Sequence, residues 1–418
     1  MILLYLLITA MIPAIAFSDE KDSDSMNLTW EQIVQTAEKN NPDILAARSN
    51  IKSSEAKIKI NLSDFFPQLS GNASYSKSKT QSNISEEDTS LGLTAQQSIF
   101  SGFSSKGNVD SAKALFLKSK ASLLETESRV LYELRSAYIN VLYSQENSKL
   151  LQKILDRKED NKKLIELRYQ GGRENRGSFL RAQAQASQSQ FELKQAERNL
   201  RVAKKTLSRA MGKDLNPSQK ILGYFEVEIQ NNSPDFELLA KQNPTVRNSE
   251  ATLMNAQSLL IQARSNFFPS LSLSASGKKQ GKNLTLNNDS WSIGGSISYP
   301  FFAGGRHYYN VLEAKAEIEQ ALAQLESQEQ KIKIALEDAY VKFENALEQV
   351  KIQKQFLEAA QERAKIARSQ YNNGMLSYQD WDLIENDLTL TEKQTLESLQ
   401  RAALAEAAWF ETQGKSLH

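Results

Sequence analysis

The stretch DFFPQLSGNAS, residues 64–74, returns as NFFPSLSLSAS, residues 266–276, and its reading decides the fold. In the first copy the preceding run from Pro42 to Ser63 opens on Asn41-Pro42 and carries Ala, Ile, Lys and Glu without a breaker, so it predicts a helix with proline in its first turn. Pro67 stops that helix, and from Leu69 onward apolar residues alternate with Ser, Gly, Thr and Gln, the period-two pattern of a half-buried strand. One chain therefore switches from helix to strand at each Phe-Phe-Pro.

The rest of the chain is in the same register. Asn41-Pro42 pairs with Asn243-Pro244, Phe100-x-Gly102 with Phe302-x-Gly304, Ala137-Tyr138 with Ala339-Tyr340, Tyr169-x-x-Gly172 with Tyr371-x-x-Gly374, and Gly212 with Gly414, all 202 positions apart. Such self-similarity marks a duplicated unit. The expected organisation is a first repeat at 41–213, a connecting segment at 214–242 with Pro217 and Pro234, and a second repeat at 243–415. Strands are expected at about 69–77 and 89–100, and at about 270–277 and 290–300, with Lys77–Thr89 and Gly277–Ser290 as hairpin loops. That makes four strands.

After each second strand the pattern becomes helical again, with no Pro or Gly from Asn108 to Gln170 or from Arg306 to Asn373. At 1.5 Å per residue these are rods of about 100 Å. Along positions 322, 325, 329, 332, 336, 339, 343, 346, 350, 353, 357, 360, 364, 367 and 371, thirteen of fifteen residues are apolar, Glu329 and Gln353 being the exceptions. This heptad seam requires a helical partner. Ser178–Ala210 and Ser377–Phe410 supply it as antiparallel returns after tight Gly-containing turns.

Composition narrows the function. The 418 residues include no Cys, two His and a formal net charge of +1, which excludes disulfide and thiolate chemistry and gives no electrostatic basis for binding nucleic acid. His307 and His418 have no Cys or His companion at zinc-ligand spacing and are expected as solvated surface residues. Gly171-Gly172-Arg173 lacks the Gly-Lys-Ser/Thr ending of a phosphate loop, and no nucleophile–base pattern occurs, so the chain does not read as an enzyme and calls for no cofactor or metal. Ile2 to Phe17 is almost continuously apolar and ends in Ala14-Ile15-Ala16, so residues 1–18 read as a signal peptide, although no Lys or Arg precedes the run. No other segment is as long and apolar, so any membrane crossing must use strands. Four strands cannot close a barrel, since even the smallest need about eight and an open edge in lipid leaves backbone groups unsatisfied. Two chains give a barrel nearly filled by side chains, whereas three give twelve strands and an aqueous lumen.

The duplicated halves, the Asn-Pro helix start, the Phe-Phe-Pro before the first strand and the Phe302-x-Gly304-Gly305-Arg306 after the last resemble the TolC-like outer-membrane efflux protein family over roughly 28–415. The resemblance implies a mainly α protein with a membrane β-barrel: a homotrimer with a twelve-stranded barrel in outer-membrane lipid and a coiled-coil tunnel in the periplasm. It implies docking to a periplasmic adaptor protein and an inner-membrane transporter of the RND, ABC or similar class, and passive exit of the cargo of an efflux pump or type I secretion system. A soluble coiled-coil structural or adaptor protein is the alternative.

Under the resemblance, Phe66, Phe100, Phe268 and Phe302, with Phe65, Phe267 and Phe301, mark the barrel's periplasmic base. Tyr371-x-x-Gly374-x-x-Ser377-x-x-Asp380 matches the family's hairpin-tip motif, and Tyr169-x-x-Gly172-x-x-Asn175-x-x-Ser178 matches it in part. Gly172, Asn175, Gly374 and Ser377 are thus the expected adaptor-docking tips, Ser377 also being placed to cap the returning helix. The first tip carries Arg173, Arg176 and Arg181 with Glu174, and the second Asp380, Asp382, Glu385 and Asp387. Pairing of Arg173 or Arg176 with Asp380 or Asp382 between neighbouring coiled coils is expected to hold the periplasmic entrance shut, together with Tyr371, while the acidic group favours cations.

Overall fold

The structure is a computed structural model describing residues 27–79, 85–216, 219–223, 227, 234–282 and 286–416. The expected signal segment, Pro217 and His418 lie outside these residues. In chain order the elements are β1 (Asn27–Leu28), α1 (Trp30–Asn40), α2 (Pro42–Leu62), β2 (Gln68–Lys79), β3 (Ser85–Ser101), α3 (Ser104–Gln170), α4 (Arg176–Met211), β4 (Lys220–Ile221), α5 (Phe236–Gln242), α6 (Pro244–Ser265), β5 (Ser270–Gly281), β6 (Asn288–Ser298), α7 (Arg306–Asn372) and α8 (Tyr378–Thr412). No described helix is long and apolar enough to cross a membrane.

The Asn-Pro pairs do more than start helices. The Asn41 side chain accepts from the N–H groups of Asp43 (2.9 Å) and Ile44 (3.3 Å) at the head of α2, and donates to the Ala210 carbonyl (2.9 Å) at the tail of α4. Asn243 repeats this, accepting from Thr245 N–H and donating to the Thr412 carbonyl, each at 2.9 Å. One buried amide thus satisfies orphan groups of two helix ends at once. The chain passes so close here that a Cβ on Gly212 would fall on the Asn40 carbonyl, and one on Gly414 on the Pro244 ring. These contacts account for both the Asn and the Gly of the repeat.

Strands β2, β3, β5 and β6 form one antiparallel sheet in that order, so the two hairpins join along β3–β5 and leave β2 and β6 as its edges. The two hairpins share one register: Ser74 pairs with Ser90, Oγ to Oγ 2.8 Å, and Ser276 with Ser292, 2.9 Å. One face presents Leu69, Tyr75, Leu91, Leu93, Leu273, Trp291, Ile293 and Ile297, all exposed in the protomer. The other is a carpet of Ser70, Asn72, Ser76, Thr94, Ser272, Ser274 and Ser296. The strands extend further than expected, and the sheet absorbs most of the supposed loops because alternation continues through their polar residues. Two further strands correct the count of four to six among the described residues: β1 and β4 pair in parallel, stitching the start of the described chain to the connecting segment. At two residues each they carry too little periodicity to be read.

Each long helix spans 67 residues. Alpha-3 packs antiparallel on α4 and α7 on α8, while α6 lies between α3 and α7, and α8 runs beside α3. Of the fifteen heptad positions, Leu322 alone is exposed, at 46 %. Elsewhere α7 lies against α6, and its buried residues before the seam are Ala314 and Ala321. Apolar clusters hold each pair: Leu151, Ile154, Leu193 and Ala196 in the first, Leu336, Phe343, Leu347, Val350 and Ala402 in the second.

Candidate functional site at the hairpin tips

The two hairpins turn identically. In the first, Gly172 N–H reaches the Tyr169 carbonyl (3.0 Å) and Arg173 N–H that of Arg168 (2.8 Å); in the second, Gly374 N–H reaches Tyr371 (3.0 Å) and Met375 N–H reaches Gln370 (2.9 Å). Both glycines are left-handed, φ 67° and 73°, and a Cβ on either would meet nothing, so conformation and not space demands glycine. Asn175 caps α4 through the Ser178 N–H (2.9 Å), and Ser377 caps α8 through the Asp380 N–H (3.1 Å).

The second tip has an aromatic centre. Tyr371, 1 % exposed, stacks on Trp381 with centroids 4.4 Å apart and planes 10° apart, and Tyr378 closes edge-on. The Arg168 guanidinium lies 4.2 Å over the Tyr371 ring, on the face Trp381 leaves open, and donates to the carbonyls of Tyr371 and Asn372, 3.0 Å each. An arginine of the first hairpin therefore caps the C-terminus of the second hairpin's long helix, where a cation is favoured. The Tyr371 hydroxyl donates to Glu174 at 3.2 Å. Burial pushes the Tyr371 phenol up to about 12. Burial, with the Asp382 charge beside it, also raises that of Tyr378.

Asp382 is buried between the hairpins, accepting from Arg181 Nε and Gln185 Nε2, both at 2.8 Å. Asp380 takes the hydroxyl of its own cap, Ser377, at 2.7 Å. Within the protomer, Arg173 and Arg176 are exposed and pair with neither aspartate; Arg181, about one and a half helical turns past Arg176 along α4, is the residue the fold brings to Asp382. The α3–α8 seam continues in polar contacts. Arg157 grips Glu392 through two nitrogens (3.1 and 2.7 Å) and approaches Glu385 (3.3 Å), buried Lys158 donates to Asn386 (2.7 Å), and Gln400 to Asn140 (2.7 Å). Burial lowers the Lys158 ammonium against the pull of Asp382 and Glu385. No group of three His, Cys, Asp or Glu among the described residues is placed to hold a metal ion.

At the other end, Phe100, Phe103 and Phe268 form an edge-to-face chain with centroids 5.3 and 5.6 Å apart, while Phe66 and Phe302 are exposed in the protomer. His307 is not the solvated residue expected: its ring packs 5.9 Å from Phe267 with both nitrogens out of water and without a hydrogen-bond partner. The helix turn that follows Gly305 sets it against Phe267, just past the end of α6. Arg168, Arg157 and Lys158 escape a reading of the sequence because a polar residue on an amphipathic helix reads as solvated, and Trp381 because an aromatic residue on a helix reads as ordinary core; the Arg168 position in the last turn of a helix is the one available signal.

The chain is 22 % identical over 333 residues to the outer membrane efflux protein BepC of Brucella suis, covering 78 % of this chain and 72 % of that one. It is 26 % identical to the pyoverdine export outer membrane protein OpmQ of Pseudomonas aeruginosa, covering 90 % and 81 %. Its fold matches the open-state crystal structure of the Neisseria gonorrhoeae MtrE outer membrane channel with a TM-score of 0.82 at 19 % identity, covering 93 % of this chain and 89 % of that one. The sequence profile of the outer membrane efflux protein family matches residues 33–213 and 236–411, most of the chain, and the protein belongs to that family.

Proposed function

We propose that three copies of this chain close into a twelve-stranded outer-membrane barrel continued by a periplasmic helical tunnel, giving passive exit to the cargo of an efflux pump or type I secretion system. The observation that carries this is the sheet: one face apolar and exposed, the other carpeted with serine, and both edges, β2 and β6, unpaired. Such a sheet is stable in lipid only when β6 of one copy pairs with β2 of the next. The duplication at 41–213 and 243–415 about 214–242 then sets six near-equivalent hairpins around one axis, with Phe66, Phe100, Phe268 and Phe302 at the barrel's periplasmic base.

The tips form the gate. Arg168, Tyr371, Glu174, Arg181 and Asp382 latch the two hairpins of a protomer, and Arg173 and Arg176, free on the tip surface, face Asp380 of the neighbouring copy. The turns at Gly172, Asn175, Gly374 and Ser377 are where a periplasmic adaptor docks, with an inner-membrane transporter completing the assembly. Planar-bilayer conductance tests the gate: Arg168→Ala and Asp382→Ala each raise the mean conductance of the resting channel, and Arg176→Glu acts in the same direction. Unchanged conductance in all three sinks the latch, and recovery of the protein in the soluble fraction sinks the channel itself.

A further inference from the structure

The apolar face of the sheet is not smooth. Along β5, Ala275 and Gly277 form the floor of a furrow of about 430 Å³ walled by Leu93 and Ala95 on β3 and by Trp291 and Ile293 on β6. These residues share a face by register: Ala95 opposite Ala275 opposite Ile293, and Leu93 opposite Gly277 opposite Trp291. A Cβ on Gly277 would meet nothing within 4 Å, while Leu93 and Trp291 on either side are 71 % and 80 % exposed. The small residues therefore open space that the large ones enclose.

At the end nearer the hairpin turns, the next row of the same face is Leu91, Lys279 and Asp289, with Lys279 Nζ 3.5 Å from the Asp289 carboxylate. The helices leave the sheet at its opposite end, so Lys279 stands at the extracellular boundary. The furrow's lining on β5 ends at Gly277, one row short of Lys279, and from Ala275 to Lys279 this face runs about 13 Å at 3.3 Å per residue, which fits one leaflet of a hydrocarbon core about 30 Å thick. An ammonium has three donors, and one facing Asp289 leaves others for a phosphate oxygen.

Resting on the membrane reading above, we propose that this furrow binds one acyl chain of an outer-leaflet lipid, with its phosphate headgroup on Lys279. Smooth lipid-facing sheet solvates chains without preference; a walled furrow with a cation at its mouth holds one chain longer than its neighbours.

The chain's own tryptophans provide the readout. Of the four, Trp30, Trp381 and Trp409 lie on helices, and Trp291 alone lies on the sheet. The protein is reconstituted in phosphatidylcholine containing a minor fraction of phosphatidylglycerol brominated on its acyl chains, a phosphate-bearing probe, and in a parallel sample the same fraction of equally brominated phosphatidylcholine. The expected result is several-fold stronger quenching of Trp291 by the brominated phosphatidylglycerol. Gly277→Leu, which fills the furrow, abolishes the excess; Lys279→Gln, at an exposed position that the fold does not depend on, removes the headgroup preference while leaving the quenching common to both lipids. Equal quenching by the two lipids, unchanged in both variants, overturns the site and leaves the channel standing. Absence of quenching by either lipid overturns both, since the sheet then lies outside the bilayer.

Discussion

Tyr371 shows how one residue acquires a role from its surroundings. Its ring is held between Trp381 and Arg168, and its hydroxyl reaches Glu174 of the other hairpin. In the gate proposed above, a phenol raised from 10.0 to about 12 ionises later in the closed tip than in an opened one. The closed state therefore binds more protons between those values, so the stabilisation is full below about 10 and is lost as pH climbs through about 12. Conductance is expected to rise over that alkaline window, accompanied by a change in Trp381 fluorescence as the stack separates. Tyr371→Phe keeps the ring sandwich, loses the proton and flattens both responses; a wild-type channel indifferent to pH over the window contradicts the assignment.

At the scale of elements, the contacts within each hairpin differ in kind from those between hairpins. Leu, Ile, Val and Ala fill the seams within them, whereas toward the tips the first hairpin meets α8 largely through charge, Arg157 and Lys158 of α3 with Glu385, Asn386 and Glu392 and Arg181 of α4 with Asp382, beside the apolar cluster around Ile165, Tyr378 and Trp381. An apolar seam resists separation in proportion to the area it buries, and a polar one can exchange partners with water at smaller net cost. In the gate proposed above, the hairpins are the units that part from one another, along this charged stretch. Arg157→Ala strands Glu385 and Glu392, and should destabilise by about 3–5 kcal/mol, while Arg157→Met combined with Glu385→Leu and Glu392→Leu should stay within about 1–2 kcal/mol of wild type. Thermal melts followed by circular dichroism decide this. Equal losses in both variants would show that the seam works by shape and not by charge.

At the scale of the whole molecule, adjacent residues on one strand face different media. Ile293 belongs to the apolar face and Ser292, hydrogen-bonded to Ser276, to the serine carpet. In a closed barrel Ile293→Arg places a cation in lipid, at a cost of about 2–4 kcal/mol near the bilayer centre, and Ser292→Arg places it in water. The first should deplete the proposed trimer, read as a heat-sensitive band on electrophoresis. The second should leave the trimer intact and shift the channel's selectivity toward anions. Loss of the trimer in both, or in neither, is incompatible with the assigned faces.

The duplication, the helix-to-strand switch at each Phe-Phe-Pro, the long rods and the tip turns could be read from the chain alone. Each rests on local rules: apolar period, proline and glycine backbone limits, and the capping chemistry of Asn and Ser. Tertiary structure decided which charges meet. Arg181, and not Arg173 or Arg176, reaches Asp382 in the protomer, and Arg168 lies across a helix end some two hundred residues away in sequence. Likewise Asn41 and Asn243 looked like helix starts and proved also to be pins between distant helix ends. A charged residue on a helix carries the same local signal whether it faces water or another hairpin, because periodicity reports which face is apolar and says nothing of what packs on the polar one. Hairpin-to-hairpin placement sets that, through contacts far apart along the chain.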